Sequence, residues 1–357
     1  MRKPAAAIAA VLLCAGAAHA SVFGFIDTSY NWNLNGASPY IVTSPLRSYD
    51  AEVGTFTINN AHLDIVGALR GESTYKIEID AGSDASFNSE ASNPATTPPA
   101  DPLRFIDLQE AYIDVKSDDR SFGARVGKFA TFMGVELIES PQNPVYSRGL
   151  LYNNCMPLTH TGAVVQYTGL DDVLSVNLGL VNGWDVVVDN DRLATVVGNV
   201  KGETSDALAL SFTYMSGVEA PATGGRRELV DFVAEVKAGR TATIYLELNG
   251  GYENTGGVNQ EWNGFGLFAD VEVTDTVSIG FRYEKLDDPD QNRITLGTAT
   301  EFANITIAPR VKINDTTTLR LELRIDEADD TIFPDDTGAA NQEDKQTTVA
   351  LQMWTTF

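Results

Sequence analysis

Apolar and polar residues alternate with a period of two along nearly the whole chain. In 75–81, Tyr75, Ile77, Ile79 and Ala81 share one face while Lys76, Glu78 and Asp80 share the other. In 319–326, Leu319, Leu321, Leu323 and Ile325 alternate with Arg320, Glu322, Arg324 and Asp326. Only an extended strand separates such faces. The spacing predicts strands over 22–33, 55–70, 73–82, 106–116, 121–129, 160–168, 174–184, 192–200, 205–216, 228–238, 241–250, 262–273, 276–286, 301–312, 316–326 and 345–357. The stretch 192–200 alternates poorly and is retained because connectivity needs it. No amphipathic helical segment of comparable length occurs.

The connections come in two lengths. Turn formers fill short gaps at 71–72, 117–120, 169–172, 239–240, 274–275 and 314–315. Between them lie long segments at 34–54, 83–105, 130–159, 185–191, 217–227, 251–261, 287–300 and 327–344. Tight turns on one side and long loops on the other belong to an all-β transmembrane antiparallel barrel of about sixteen strands, with both chain ends on the short-turn side. A water-soluble sandwich shares the alternation. The last strand, ending in Phe357, and the N-terminal segment weigh toward the barrel. Closing a sheet on itself pairs every backbone group that lipid would otherwise strand.

Residues 1–20 read as a signal peptide: Arg2 and Lys3 are basic, 5–13 is apolar, and Ala18-His19-Ala20 is a small-residue cleavage site. The barrel would then occupy 21–357. Without Arg2 and Lys3, 23 basic residues face 49 acidic ones, a formal charge of −26. That charge argues against nucleic acid as a partner. Cys155 is the one cysteine after the leader, so neither an internal disulfide nor a thiolate metal cluster can form.

A barrel of sixteen strands is wide enough for an aqueous channel. Alternation turns Lys76, Glu78, Asp80, Glu110, Asp114, Arg125, Asp231, Glu235, Lys237, Glu247, Asp270, Glu272, Arg282, Glu284, Arg310, Lys312, Arg320, Glu322, Arg324 and Asp326 toward the lumen. Acids outnumber bases there, which predicts a weak cation preference. The 130–159 segment is long and stiffened by Pro141, Pro144 and Pro157. It is the candidate constriction, with Glu136, Glu139, Arg148 and His160 facing Arg125, Arg320 or Arg324 across a gap; the other reading is an extracellular cap. Asp326, Asp329 and Asp330 are candidate Ca²⁺ ligands by oxygen content, although no calcium-loop spacing is present. Phe23, Phe25, Tyr30, Trp32, Tyr167, Trp184, Tyr214, Phe281, Tyr283, Trp354 and Phe357 are candidates for interfacial girdles. Few aromatics, Tyr245 and Phe268 among them, point inward, so a sugar track is disfavoured. Ser147 and His160 lack the strained elbow of a nucleophilic serine, and no enzyme or cofactor is expected.

One passage is more specific. Gly127-Lys128-Phe129, Gly134-Val135-Glu136, Asn143-Pro144-Val145-Tyr146-Ser147-Arg148 and Pro157-Leu158-Thr159-His160-Thr161-Gly162 together resemble OmpL-like β-barrel porins. Weaker echoes are Asn182-Gly183-Trp184 and Phe281-Arg282-Tyr283-Glu284. Cys155-Met156 and the 83–104 insertion depart from the pattern. The resemblance implies an outer-membrane channel for small hydrophilic solutes, surrounded by lipid and lipopolysaccharide. A homotrimer follows by fold analogy. A blocked structural or adhesive barrel and a substrate-specific channel are the competing functions.

Overall fold

The alternation becomes sixteen strands in the computed structural model, which describes residues 20–35, 46–50, 52–92, 105–189, 193–220, 224–335 and 342–357. The strands are β1 Ala20–Asn33, β2 Phe56–Ala68, β3 Thr74–Ala81, β4 Ile106–Lys116, β5 Phe122–Ala130, β6 Thr159–Gly169, β7 Leu174–Val181 and β8 Thr195–Ser205. They continue as β9 Leu208–Ala220, β10 Gly225–Ala238, β11 Ala242–Thr255, β12 Val258–Glu272, β13 Val277–Asp287, β14 Glu301–Lys312, β15 Thr317–Ala328 and β16 Lys345–Thr356. Each strand pairs antiparallel with its sequence neighbours, and β1 pairs with both β2 and β16 to close the barrel. Gly24 and Phe357 seal the seam by exchanging backbone hydrogen bonds of 3.1 and 3.0 Å. The expected leader over 1–20 lies, apart from Ala20, outside the described residues.

Several boundaries differ from the sequence reading for local reasons. The eighth strand starts later than expected and runs on to Ser205, because the turn falls at Asp206–Ala207. The expected loop at 251–261 shrinks to Gly256-Gly257. Both glycines have positive φ, 63° and 89°, as a two-residue hairpin turn requires, so β11 and β12 extend far past the segments their alternation marked. The first part of the long 83–105 connection is a helix, α1, Ser83–Ser92.

Outward positions carry the apolar band: Ile113, Val165, Leu178, Ile305, Ile307 and Leu321 are exposed. Trp32, Tyr167, Tyr283 and Phe357 also face out, whereas Phe23 pairs with Asp64 on the inward face and is exposed at the end of the strand. Two further girdle candidates turn inward. Phe25 stacks on His62 with ring centroids 4.5 Å apart, and Trp354 lies under the Arg320 guanidinium at 4.8 Å. Trp184 also leaves the girdle: it sits between Arg227 and Arg293 and packs against the interior cluster. Interior aromatics are therefore more numerous than expected, and include Phe129 and Trp262. Phe129 and Trp262 are fully buried, so they offer no open track.

The apolar core sits inside the barrel. Leu150, Leu151, Tyr152, Cys155 and Met156 pack with Leu229, Trp262, Phe302 and Phe333, joining the 131–158 loop to the ends of the long-loop side. Among the described residues no helix is long and apolar enough to cross a membrane; crossing belongs to the strands.

Candidate pore constriction

The segment between β5 and β6 enters the lumen and is buried there. Its shape is set locally. Pro141 lies in a single 3₁₀ turn, Ser140–Gln142. The Asn143 side chain holds both the amide and the carbonyl of Leu137 at 2.8 Å, and Gly149 opens a short helix, α2, Leu150–Asn154. Such a loop carries many backbone donors and acceptors, and inside a barrel each needs a partner.

The wall supplies them with charge. Glu322 accepts hydrogen bonds from the amides of Tyr146, at 2.6 Å, and Ser147. Glu284 accepts from Leu150 at 2.8 Å and Leu151 at 3.1 Å, Asp231 from Gly134 at 2.9 Å, and Glu247 from Val135 at 3.0 Å. Arginines treat the carbonyls: Arg320 donates to Ser140 and Asn143, and Arg324 donates to Arg148 O at 2.7 Å. Arg282 Nη1 meets Glu136 Oε1 at 2.7 Å. These are charge-assisted bonds, individually stronger than neutral ones. Space is made by glycines. A Cβ on Gly280 would strike the Pro144 carbonyl, one on Gly264 would strike Leu151, and one on Gly149 would strike the Glu284 carboxylate.

The inward charges thus divide into two sets. Asp231, Glu247, Arg282, Glu284, Arg320, Glu322 and Arg324 are engaged with the loop and almost completely buried. The other set lines what the loop leaves open. Against β2–β4 a cavity of 210 Å³ is lined by Asp64, Glu78, Glu110, Glu136 and Glu139, with Lys76 and His62 the cations. Gln109 Nε2 donates to both Glu78 and Glu139, and Lys76 Nζ reaches Glu78 and Glu110. Arg125 is paired with Asp114 at 2.7 Å and lies over the Tyr112 ring. Arg310 is paired with Asp270, and Glu235 and Lys237 stand at the short-turn end.

This geometry changes the expected constriction. Arg320 and Arg324 hold the loop's carbonyls and do not face Glu136 or Glu139 across a gap. Arg148 is buried beside Asp84 of α1, at 2.9 Å; burial pushes that carboxyl up to about 7, against the pull of the guanidinium. His160 is fully buried behind Thr131, 3.1 Å from its Oγ1, and does not itself line the gap. Burial also drives the Cys155 thiol well above its ordinary range. The calcium candidates are not assembled either. Asp326 is saturated by Arg47 at 2.6 Å and Arg324 at 2.7 Å, while Asp329 and Asp330 are clasped by Thr300 and Thr298.

A sixteen-strand closed barrel with apolar outward positions and a loop bound inside is porin architecture, and the family profile decides the rest. That profile, "Putative beta-barrel porin-2, OmpL-like", matches residues 20–357. The chain belongs to the OmpL-like β-barrel porin family. Solved structures agree at the level of fold. An anion-selective porin from Comamonas acidovorans superposes with a TM-score of 0.65 at 13% identity, covering 96% of this chain and 100% of that one. OmpT of Vibrio cholerae in its trimer form gives 0.63 at 11%, covering 96% and 100%. Salmonella typhi OmpF, in complex with daunomycin, gives 0.63 at 12%, covering 95% and 97%. No curated protein matches the chain. This porin is an outer-membrane diffusion channel, and its fold and family are those of a non-catalytic protein.

Proposed function

We propose that this porin is a narrow, cation-preferring diffusion channel for small hydrophilic solutes, exported by a leader over residues 1–20. The observation that carries the preference is the composition of the gap: four carboxylates besides Glu136, which Arg282 holds, against one lysine and one histidine. A wall with that imbalance concentrates cations and repels anions at close range. Most inward arginines are buried against the loop, so they contribute little to the field along the path. The anion selectivity in the name of the Comamonas porin belongs to that protein. Neighbours in the membrane would be lipid and lipopolysaccharide, and a homotrimer is the assembly to test first.

A second reading has one observation behind it. The interior cluster under the long loops fills the side of the lumen next to β9–β15, so passage could be closed on that side and the barrel could serve a structural or adhesive role. Planar-bilayer recording separates the two. In a tenfold salt gradient the channel reading expects small unitary steps and a reversal potential of cation sign. Anion sign would refute the preference, and silence with folded protein would favour the closed barrel.

A further inference from the structure

We infer that His62, Glu78 and Asp80 form a binding site for one divalent transition-metal ion, of which Zn²⁺ is the probe, on the wall of the gap. The proposal concerns the same wall as the cation path but does not rest on the channel's selectivity.

Neighbouring strands create the cluster. His62 on β2 pairs in register with Asp80 on β3, and Glu78 is the next inward position along β3. Their ligand atoms lie within 4.8 Å of one another. His62 Nδ1 stands 2.7 Å from Asp80 Oδ1 and 3.7 Å from Glu78 Oε1. The other ring nitrogen, Nε2, faces Asp64 Oδ2 at 3.3 Å. With an ion bound, an Nε2–H donated to Asp64 would leave the Nδ1 lone pair for the metal, beside two carboxylate oxygens. That is the carboxylate–imidazole–metal relay in which an outer acid fixes the tautomer of a ligating histidine. One imidazole and two carboxylates suit divalent zinc or its neighbours, with the 210 Å³ cavity able to supply water to the remaining positions.

An independent observation points to a ligand. Asp80 is completely buried, and its Oδ2 has no hydrogen-bond partner. A buried carboxylate oxygen without a donor is costly. Oδ2 shares its carbon with the Oδ1 that touches His62, so it lies in the cluster. Charge argues the same way: Asp64, Glu78, Asp80, Glu110 and Glu139 surround one lysine and one histidine.

The test is calorimetric titration of Zn²⁺ into the folded chain in detergent. One saturable ion per chain is expected. His62→Gln and Asp80→Asn should each weaken binding by more than tenfold, and Asp64→Asn by about tenfold through the lost orientation of the ring. Binding unchanged in His62→Gln, or no saturable binding by the unmodified chain, would overturn the proposal. The second result needs no variant to fold. Because the titration reads binding without current, it can fail while cation selectivity stands, and the reverse.

Discussion

Gly280 on β13 lies directly beneath the carbonyl of Pro144, so close that no side chain could occupy the position. It is the contact through which the wall admits the loop. Replacing Gly280 with Leu should push residues 143–147 off the wall, freeing the Glu322 carboxylate and the Arg282 guanidinium. We expect a loss of about 1–3 kcal/mol from overpacking. Single-channel current should become noisy and larger on average. A quiet trace of unchanged amplitude would show that the loop does not rest there.

Arg282 bridges Glu136 on the loop and Glu284 beside it on the strand, with every partner buried. Removing the cation with Arg282→Met strands two carboxylates, and breaking a buried pair this way costs about 3–5 kcal/mol. Adding Glu136→Gln should recover part of that loss, because it removes one uncompensated charge. Urea unfolding in detergent micelles reads both. Equal stabilities of the single and double variants would mean that the pair is solvated.

Asp119 clasps the β4–β5 turn. It accepts from the hydroxyl of Ser117 at 2.6 Å, and from the hydroxyl and amide of Ser121. These bonds hold its carboxyl down at about 2, below the ordinary 3.8. A depressed folded value means that the stabilisation is fully present above pH 4 and disappears as pH falls through 2. Asp119→Ala should therefore unfold sooner than the parent at pH 6, and the gap should close near pH 2. A difference that persists at pH 2 would assign the effect to something other than ionisation.

Glu139 is part of the acidic lining and shares Gln109 with Glu78. Glu139→Lys should lower the cation-to-anion permeability ratio toward or below unity, whereas Glu253→Gln, remote and paired with Arg227, should leave it nearly unchanged. Reversal potentials of the two variants, recorded in the same gradient, decide this. Equal ratios would move the selective point elsewhere.

Period two made the strands and their inward faces readable, because lipid on one side and water on the other force every strand to sort its side chains. Even the ill-patterned eighth strand followed from the need to end on the starting side. What the inward charges do was not readable. Glu322 and Arg320 look like pore lining in sequence, and only the path of a distant loop reveals that they hold its amides and carbonyls. The inward glycines Gly264 and Gly280 carried a usable signal, since small residues interrupt faces of long charged ones, but a weak strand reads the same way. His62 with Asp80 was out of reach because the register between β2 and β3, set by the turn that joins them, is not written in either strand alone. The inward turn of Phe25 is legible in β1 itself, where Phe25 shares a face with Asp27, Ser29 and Asn31.

Residues 131–158 enter the lumen, and their removal should widen it. Thr131 N donates to Leu158 O at 3.0 Å, so the base of the loop is bridged outside the excised segment. The decisive measurement is the single-channel conductance of the porin lacking residues 137–155, taken beside the intact protein in the same salt. A several-fold rise with weakened cation preference is the expected result; an unchanged conductance in a folded barrel would mean that the loop does not set the width.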